Sequence, residues 1–224
     1  MQLDSQQTTT DAERLQRKLD FVNDRNLTAD TLTPATAAQP SPVHVHAAAD
    51  GPAVVTYVVG DGRTLHLHSR RDPRREAERQ VDAWAERAHV QWDGLVVVLG
   101  AAGFHHVRAL AGRMEDRGQL LVADTDPAAV CRALAQVDID DLMSVAGLRF
   151  LITSDAREQL TVFRAILRRR TSLALAVFVP PGLRRANADA VREIEQRWLE
   201  EGRVELMNRA TRATFAGEWT DNCL

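Results

Sequence analysis

Two neighbouring segments, Leu95 to Leu110 (LVVVLGAAGFHHVRAL) and Gln119 to Pro127 (QLLVADTDP), restrict the chain more than any other feature. The first opens with five consecutive apolar residues, the pattern of a strand buried on both faces of a parallel sheet. Gly100 and Gly103 then permit a sharp backbone turn into a helix. The second segment is another strand, and Asp124 stands at its end. Strand, glycine turn, helix and a strand ending in an acid make up the opening unit of a Rossmann-type nucleotide-binding fold.

The flanking sequence extends this unit. Leu148 to Ile152 and Ser172 to Val179 are strand-like, and helices are predicted over about Phe104–Asp116, Pro127–Val137, Asp155–Arg169 and Asn187–Glu201. This alternation implies right-handed crossovers and a parallel sheet in the spatial order third, second, first, fourth strand. A cleft is expected beside the ends of the first and fourth strands. Upstream, Asp72 and Pro73 suit the N-cap and first position of a helix whose buried stripe is Ala77, Val81, Trp84 and Ala88.

The N-terminal part has a different period. Met1 to Thr9 reads as disordered, followed by a helix from Thr10 or Asp11 to Asn23 on Leu15, Leu19 and Val22. Thr28 to Pro42, rich in Thr, Ala and Pro, reads as a linker or irregular connection. Val43–His46, Val54–Val59 and Thr64–His68 then alternate like short strands, broken at Asp50-Gly51 and Gly60-Asp61-Gly62. The fold class is therefore α/β: a Rossmann-like, methyltransferase-like parallel sheet flanked by helices and preceded by a small antiparallel β meander. The expected division is 1–42 helix and linker, 43–71 meander, 72–203 α/β domain and 204–224 C-terminal segment.

Composition narrows the function classes. A chain of 224 residues, 45% hydrophobic, can bury one sizeable core. Its net charge of −3 argues against a nucleic-acid binder. No run approaches the roughly 18 apolar residues of a membrane span, and the first residues lack a signal-peptide pattern. Cys131 and Cys223 form no spacing motif, which suits reduced thiols in a cytoplasm, with Cys131 in the core.

The cleft candidates are Gly100, Ala101 and Gly103 in the turn, Asp124 for ribose hydroxyls, and Asp155 for an adenine-like edge. Competing readings are chain turning for the glycines and helix capping for Asp126 and Asp155. His105 and His106 open the helix after the turn, where a histidine can meet a phosphate or act as a base, but spacing supplies no partner carboxylate. His44, His46, His66 and His68 alternate along the meander without a cysteine or acid beside them, so no metal site is expected. Arg70, Arg71, Arg74 and Arg75 crowd a helix start, where the dipole disfavours them, and form a candidate anion or partner patch. The Arg168-Arg169-Arg170 run suits a helix C-terminus.

Leu65 to Val81 (LHLHSRRDPRREAERQV) resembles the LHS-x-x-DP-x-x-EAER signature of the N-terminal domain of motility accessory factor proteins. These are flagellin glycosyltransferases related to 6-hydroxymethylpterin diphosphokinase-like proteins. VVVLGAAGFHHVRAL with LLVADTDPAAV is similar to that family's next segment, and Asn208 to Trp219 resembles its link into a central domain. The resemblance covers about Tyr57 to Asn222 and is most specific in its first motif. Ala101 and Ala102 depart from the family's three turn glycines, and the family's central catalytic domain is absent before Leu224. No catalytic residue is carried over. The resemblance implies a non-catalytic module associated with glycosyltransferase and flagellin glycosylation chemistry. Its partners would be the absent central domain, another protein or a second copy, with Leu206, Met207, Phe215 and Trp219 docking on the sheet or forming an apolar surface.

No cofactor is expected on this reading, although the cleft could take S-adenosylmethionine or a nucleotide. The alternative is an S-adenosylmethionine-dependent methyltransferase, because Gly100 to Gly103, Asp124 and Asp155 fall in that fold's three cofactor positions. Against it, Val179-Pro180-Pro181-Gly182 lacks the acidic or Asn-Pro-Pro segment of many such enzymes. A dinucleotide-dependent oxidoreductase is weaker still, since the first turn lacks the full G-x-G-x-x-G spacing.

Overall fold

Helix α1 (Gln2–Asn23) seats buried Leu19 and Val22 on the core. The structure is a computed structural model and describes residues 2–48, 51–170 and 174–222. The helix begins at Gln2, so the tail expected to be disordered to Thr9 is helical, because extending a formed helix costs little once its nucleus exists. Lys18 is buried and donates to the carbonyls of Leu134 and Val137 at 2.9 and 2.7 Å. The following connection is irregular but firmly docked. Leu32 is buried, a 3-10 turn spans Pro34–Ala38, and Arg132 donates to the carbonyls of Ala37 and Val43 at 2.8 and 2.9 Å and to that of Gln39.

Strands β1 (Val43–Ala48), β2 (Gly51–Val58) and β3 (Thr64–His66) form the antiparallel meander in that order. Asp50 of the first expected turn, like Cys223, lies outside the described residues. Helix α2 (Pro73–Ala88) follows, with Asp72 capping it through the Arg75 amide at 2.9 Å. The remaining elements alternate: β4 (Leu95–Leu99), α3 (His105–Ala111), β5 (Gln119–Asp124), α4 (Pro127–Gln136), a short α5 (Asp140–Met143), β6 (Leu148–Ile152), α6 (Ala156–Arg169), β7 (Leu175–Phe178), α7 (Pro181–Ala186) and α8 (Ala188–Asn222).

The parallel sheet runs β6-β5-β4-β7, which is the third, second, first, fourth order. This is a Rossmann-like α/β fold. Alternate residues of its strands feed two cores. Val96, Val98, Leu120 and Val122 pack with Val81, Val107, Leu110 and Leu134 on one side. Val97, Leu99, Leu121 and Leu151 pack with Phe163 and Trp198 on the other, the two rings 4.3 Å apart.

Helix boundaries differ from expectation in three places. Helix α3 stops at Ala111, where Gly112 caps it, rather than running to Asp116. Helix α7 forms directly from Pro181, whose ring presets the first helical φ. Helix α8 continues to Asn222 instead of ending at Glu201. Gly202 looks like a stop signal, but a Cβ there would meet Leu175 Cδ2 at 2.3 Å, so the glycine serves close approach to β7. Among the described residues, no helix is long and apolar enough to cross a membrane.

A partly buried hydrogen-bond chain joins the meander to the parallel unit. His68 Nε2 accepts from the Val55 amide at 3.1 Å, and Nδ1 lies 3.0 Å from the Ser69 carbonyl, to which it donates. That assignment makes His68 a neutral Nδ1–H tautomer. The Ser69 amide donates to Glu76 on α2, Gln80 donates to the same carboxylate at 3.1 Å, and Gln80 Oε1 meets His106 Nε2 on α3 at 2.7 Å. His105 stacks edge-on against His68, with ring centroids 4.7 Å apart.

Burial holds His105 and His106 neutral, pushing them down to about 3 and about 4 from the ordinary 6.5. Above pH 6.5 these rings are neutral whether the chain is folded or not. As the pH falls toward the folded values, the unfolded chain binds protons first and this stability is lost. The stability difference between the protein and a His105→Phe variant should therefore fall by on the order of 3 kcal/mol from neutrality to about pH 4. Denaturant unfolding measures it, and a pH-independent difference would contradict the buried, neutral assignment.

Candidate functional site

At the carboxyl ends of β4, β5 and β7, where the strand order reverses, a cavity of about 420 Å³ opens beneath the meander. Its volume lies in the usual range for small-molecule sites. Val43, Val45 and Val55 of the meander form one wall, while Val191 and Ile194 of α8 form another. Pro40 and Pro42 close a third side. Arg132 fixes that segment through its three carbonyl bonds, and Ser41 Oγ donates to Asp126 Oδ2 at 2.5 Å.

The glycine turn forms the floor. Gly100 and Gly103 have φ of +98° and +82°, and Ala102 and Phe104 are also in the positive-φ region at +37° and +64°. The sequence thus supplies glycine at two of four left-handed positions and accepts strain at the others. Three of the five amides from Gly100 to Phe104 are committed. Gly100 donates to the Ala123 carbonyl and Phe104 to that of Ala101, both at 2.7 Å. Ala101 donates to Asp124 Oδ2 at 2.8 Å.

Asp124 Oδ1 accepts from the Asp126 amide at 2.9 Å, so each carboxylate oxygen has one backbone donor and one remaining lone-pair direction. Desolvation pushes this carboxyl up to about 6, with the Asp126 charge adding to it and the two amides opposing it. Asp126 itself caps α4 through the Ala129 amide at 2.9 Å.

Gly100, Ala101, Gly103 and Asp124 all line the cavity. Asp155 is not among its lining residues. It is exposed and caps α6 through the amides of Arg157 and Glu158, at 2.8 and 3.4 Å, while its neighbour Ser154 reaches the cavity edge. Sequence reasoning missed Gln159, which is buried at the cavity and donates to the carbonyls of Asp124 and Leu151 at 2.7 and 3.0 Å. The available signal was a polar residue at the head of the stripe Gln159, Phe163, Leu167. Asn187 and Tyr57 were missed as well. They meet at 3.4 Å, joining the turn between α7 and α8 to the meander.

Other candidates lie elsewhere. His105 and His106 are buried behind the turn and do not line the cavity, so the structure gives neither a place as base or phosphate contact there. His68 turns inward while His44, His46 and His66 are exposed. Among the described residues, no group of three or more His, Cys, Asp or Glu is arranged to hold a metal. Arg70, Arg71, Arg74 and Arg75 remain on the surface. Cys131 is a buried thiol whose ionisation burial pushes up to about 11, so it is unreactive.

The cavity presents carboxylate, amide and hydroxyl groups in a mostly apolar enclosure, which suits binding. Its lining side chains include Asp124 and Asp126 but, among the described residues, no lysine, arginine or histidine. The Asp124 carboxyl should titrate near pH 6 by carbon-detected NMR. Because its folded value is raised, its contribution to stability is complete below pH 3.8 and lost as the pH rises through 6. A midpoint at or below the ordinary carboxylate value would refute the desolvated environment. No protein-family model matches this sequence, and no curated protein matches it closely enough to count as a relative.

Proposed function

We propose that this chain is a non-catalytic, Rossmann-like module that binds a small molecule at the strand ends and associates with a partner domain. Its kinship would be with the N-terminal modules of motility-accessory-factor-type glycosyltransferases. The carrying observation is the cavity: mostly apolar, floored by the glycine turn and Asp124, and, among the described residues, without a base beside a nucleophile in its lining.

The family reading draws support from the roles of the signature residues. Leu67 and Ala77 are buried, His68, Ser69 and Glu76 belong to the hydrogen-bond chain, and Asp72 with Pro73 starts α2. A partner domain, another protein or a second copy would meet α8, where Leu199, Val204 and Met207 are exposed. The side chains of Leu206, Phe215 and Trp219 lie outside the described residues. A cytoplasmic setting accords with two cysteines that form no disulfide framework.

A methyltransferase using S-adenosylmethionine is the second reading, favoured by the turn and Asp124 at one cavity. Asp155 outside that cavity and the direct passage from Val179 into α7 count against it.

The test is a thermal-denaturation screen of neutral, cationic and anionic fragments against the protein and an Ala190→Trp variant, whose indole fills the cavity from α8. Stabilising fragments should lose their effect in the variant. Fragments that stabilise both proteins equally would refute the cavity as the site. Transfer of labelled methyl groups to acceptor pools should stay at background, and turnover would move the assignment to the methyltransferase.

A further inference from the structure

We infer that the cavity selects a phosphate-free, nucleoside-like ligand and excludes the corresponding nucleotides. This inference rests on the small-molecule reading above and specifies its ligand. Three observations carry it independently of the fold.

The first is charge. The lining includes Asp124 and Asp126 and, among the described residues, no cationic side chain. A phosphate brought into this enclosure would meet two carboxylates without a counter-charge, and low-dielectric walls strengthen that repulsion.

The second is the commitment of the turn. In phosphate-binding glycine turns the backbone amides point at the anion. Here three of the five amides from Gly100 to Phe104 are used within the protein: Gly100, Ala101 and Phe104 donate to the Ala123 carbonyl, the Asp124 carboxylate and the Ala101 carbonyl, which leaves only those of Ala102 and Gly103. The Ala101 amide is aimed at an anion, but that anion belongs to the protein. Helix α3, which follows the turn, has seven residues, and its N-cap Phe104 makes no side-chain capping bond.

The third is what Asp124 still offers. Both oxygens are held by backbone donors, and each retains a lone-pair direction for a further hydrogen. A rigid carboxylate in this state matches vicinal hydroxyls, the hydrogen-bonding face of a ribose. The meander's valines and Val191 of α8 supply apolar walls against which a base can pack. A cationic group elsewhere on the ligand would add attraction, whereas an anionic one would subtract it.

The experiment is isothermal titration of the full chain, near neutral pH, with the common ribonucleosides and with their 5′-monophosphates, alongside S-adenosylmethionine as a cationic nucleoside. At least one nucleoside or S-adenosylmethionine should bind. The matching monophosphate of any nucleoside that binds should be at least about tenfold weaker, a margin that narrows as salt is raised. Ala190→Trp should abolish binding. Asp126→Asn removes one charge while keeping a good helix cap, and it should narrow the margin several-fold. Asp124→Asn should weaken the nucleoside itself.

A monophosphate that binds as tightly as its nucleoside overturns the inference. So does a cavity that captures fragments in the thermal screen but none of these compounds, and in that case the small-molecule reading still stands. If neither fragments nor nucleosides depend on the cavity, both readings fall.

Discussion

The hydrogen-bond chain from Val55 through His68, Ser69, Glu76 and Gln80 to His106 ties the antiparallel meander to the parallel sheet. Its links fall on β2, the segment after β3, α2 and α3, and so carry the β2–β3 pairing across to the helices. Each step inside a protein costs more to break than in water, because the orphaned partner stays desolvated. His68 is the pivot. Its two nitrogens have opposite duties, one accepting and one donating, so only the neutral ring satisfies both. Protonation would turn an acceptor into a donor facing the Val55 amide.

The cavity follows from that attachment. Without the meander, the carboxyl ends of β4, β5 and β7 would form an open shelf, as strand ends do in many α/β proteins. With Val43, Val45 and Val55 held over them, and Arg132 fixing Pro40 and Pro42 at one side, the shelf becomes an enclosure. Burial at this site explains the raised Asp124 carboxyl, because desolvation outweighs its two amide donors. One arrangement therefore sets both the shape of the site and its charge.

The legible parts of the fold were those where local chemistry has one solution. The apolar runs at Leu95 and Gln119, the Asp72-Pro73 and Asp126-Pro127 helix starts and the meander's alternation were all readable. Connectivity then implied the observed strand order. The misreadings share a different cause. Gly202 is a stop signal in isolation but a close-packing residue against Leu175, and Gln159 is unremarkable until β5 and β6 present their carbonyls to it. Asp155 has the right position after a strand for a ligand contact, yet the helix amides of Arg157 and Glu158 claim it.

Sequence by itself determined the fold class, the sheet order and the placement of Gly100, Gly103 and Asp124 at the strand ends, since periodicity and crossover handedness act locally or between neighbours in the chain. Only the tertiary structure decided which groups share an enclosure. It moved His105 and His106 out of the site, and it brought in the meander's valines, Gln159, Tyr57 and Asn187 from distant segments. It also committed the turn amide of Ala101 to a carboxylate. The physical reason is range: hydrogen bonding and patterning act along the chain, whereas the solvent exclusion and charge balance that define a ligand are properties of surfaces that meet only on folding.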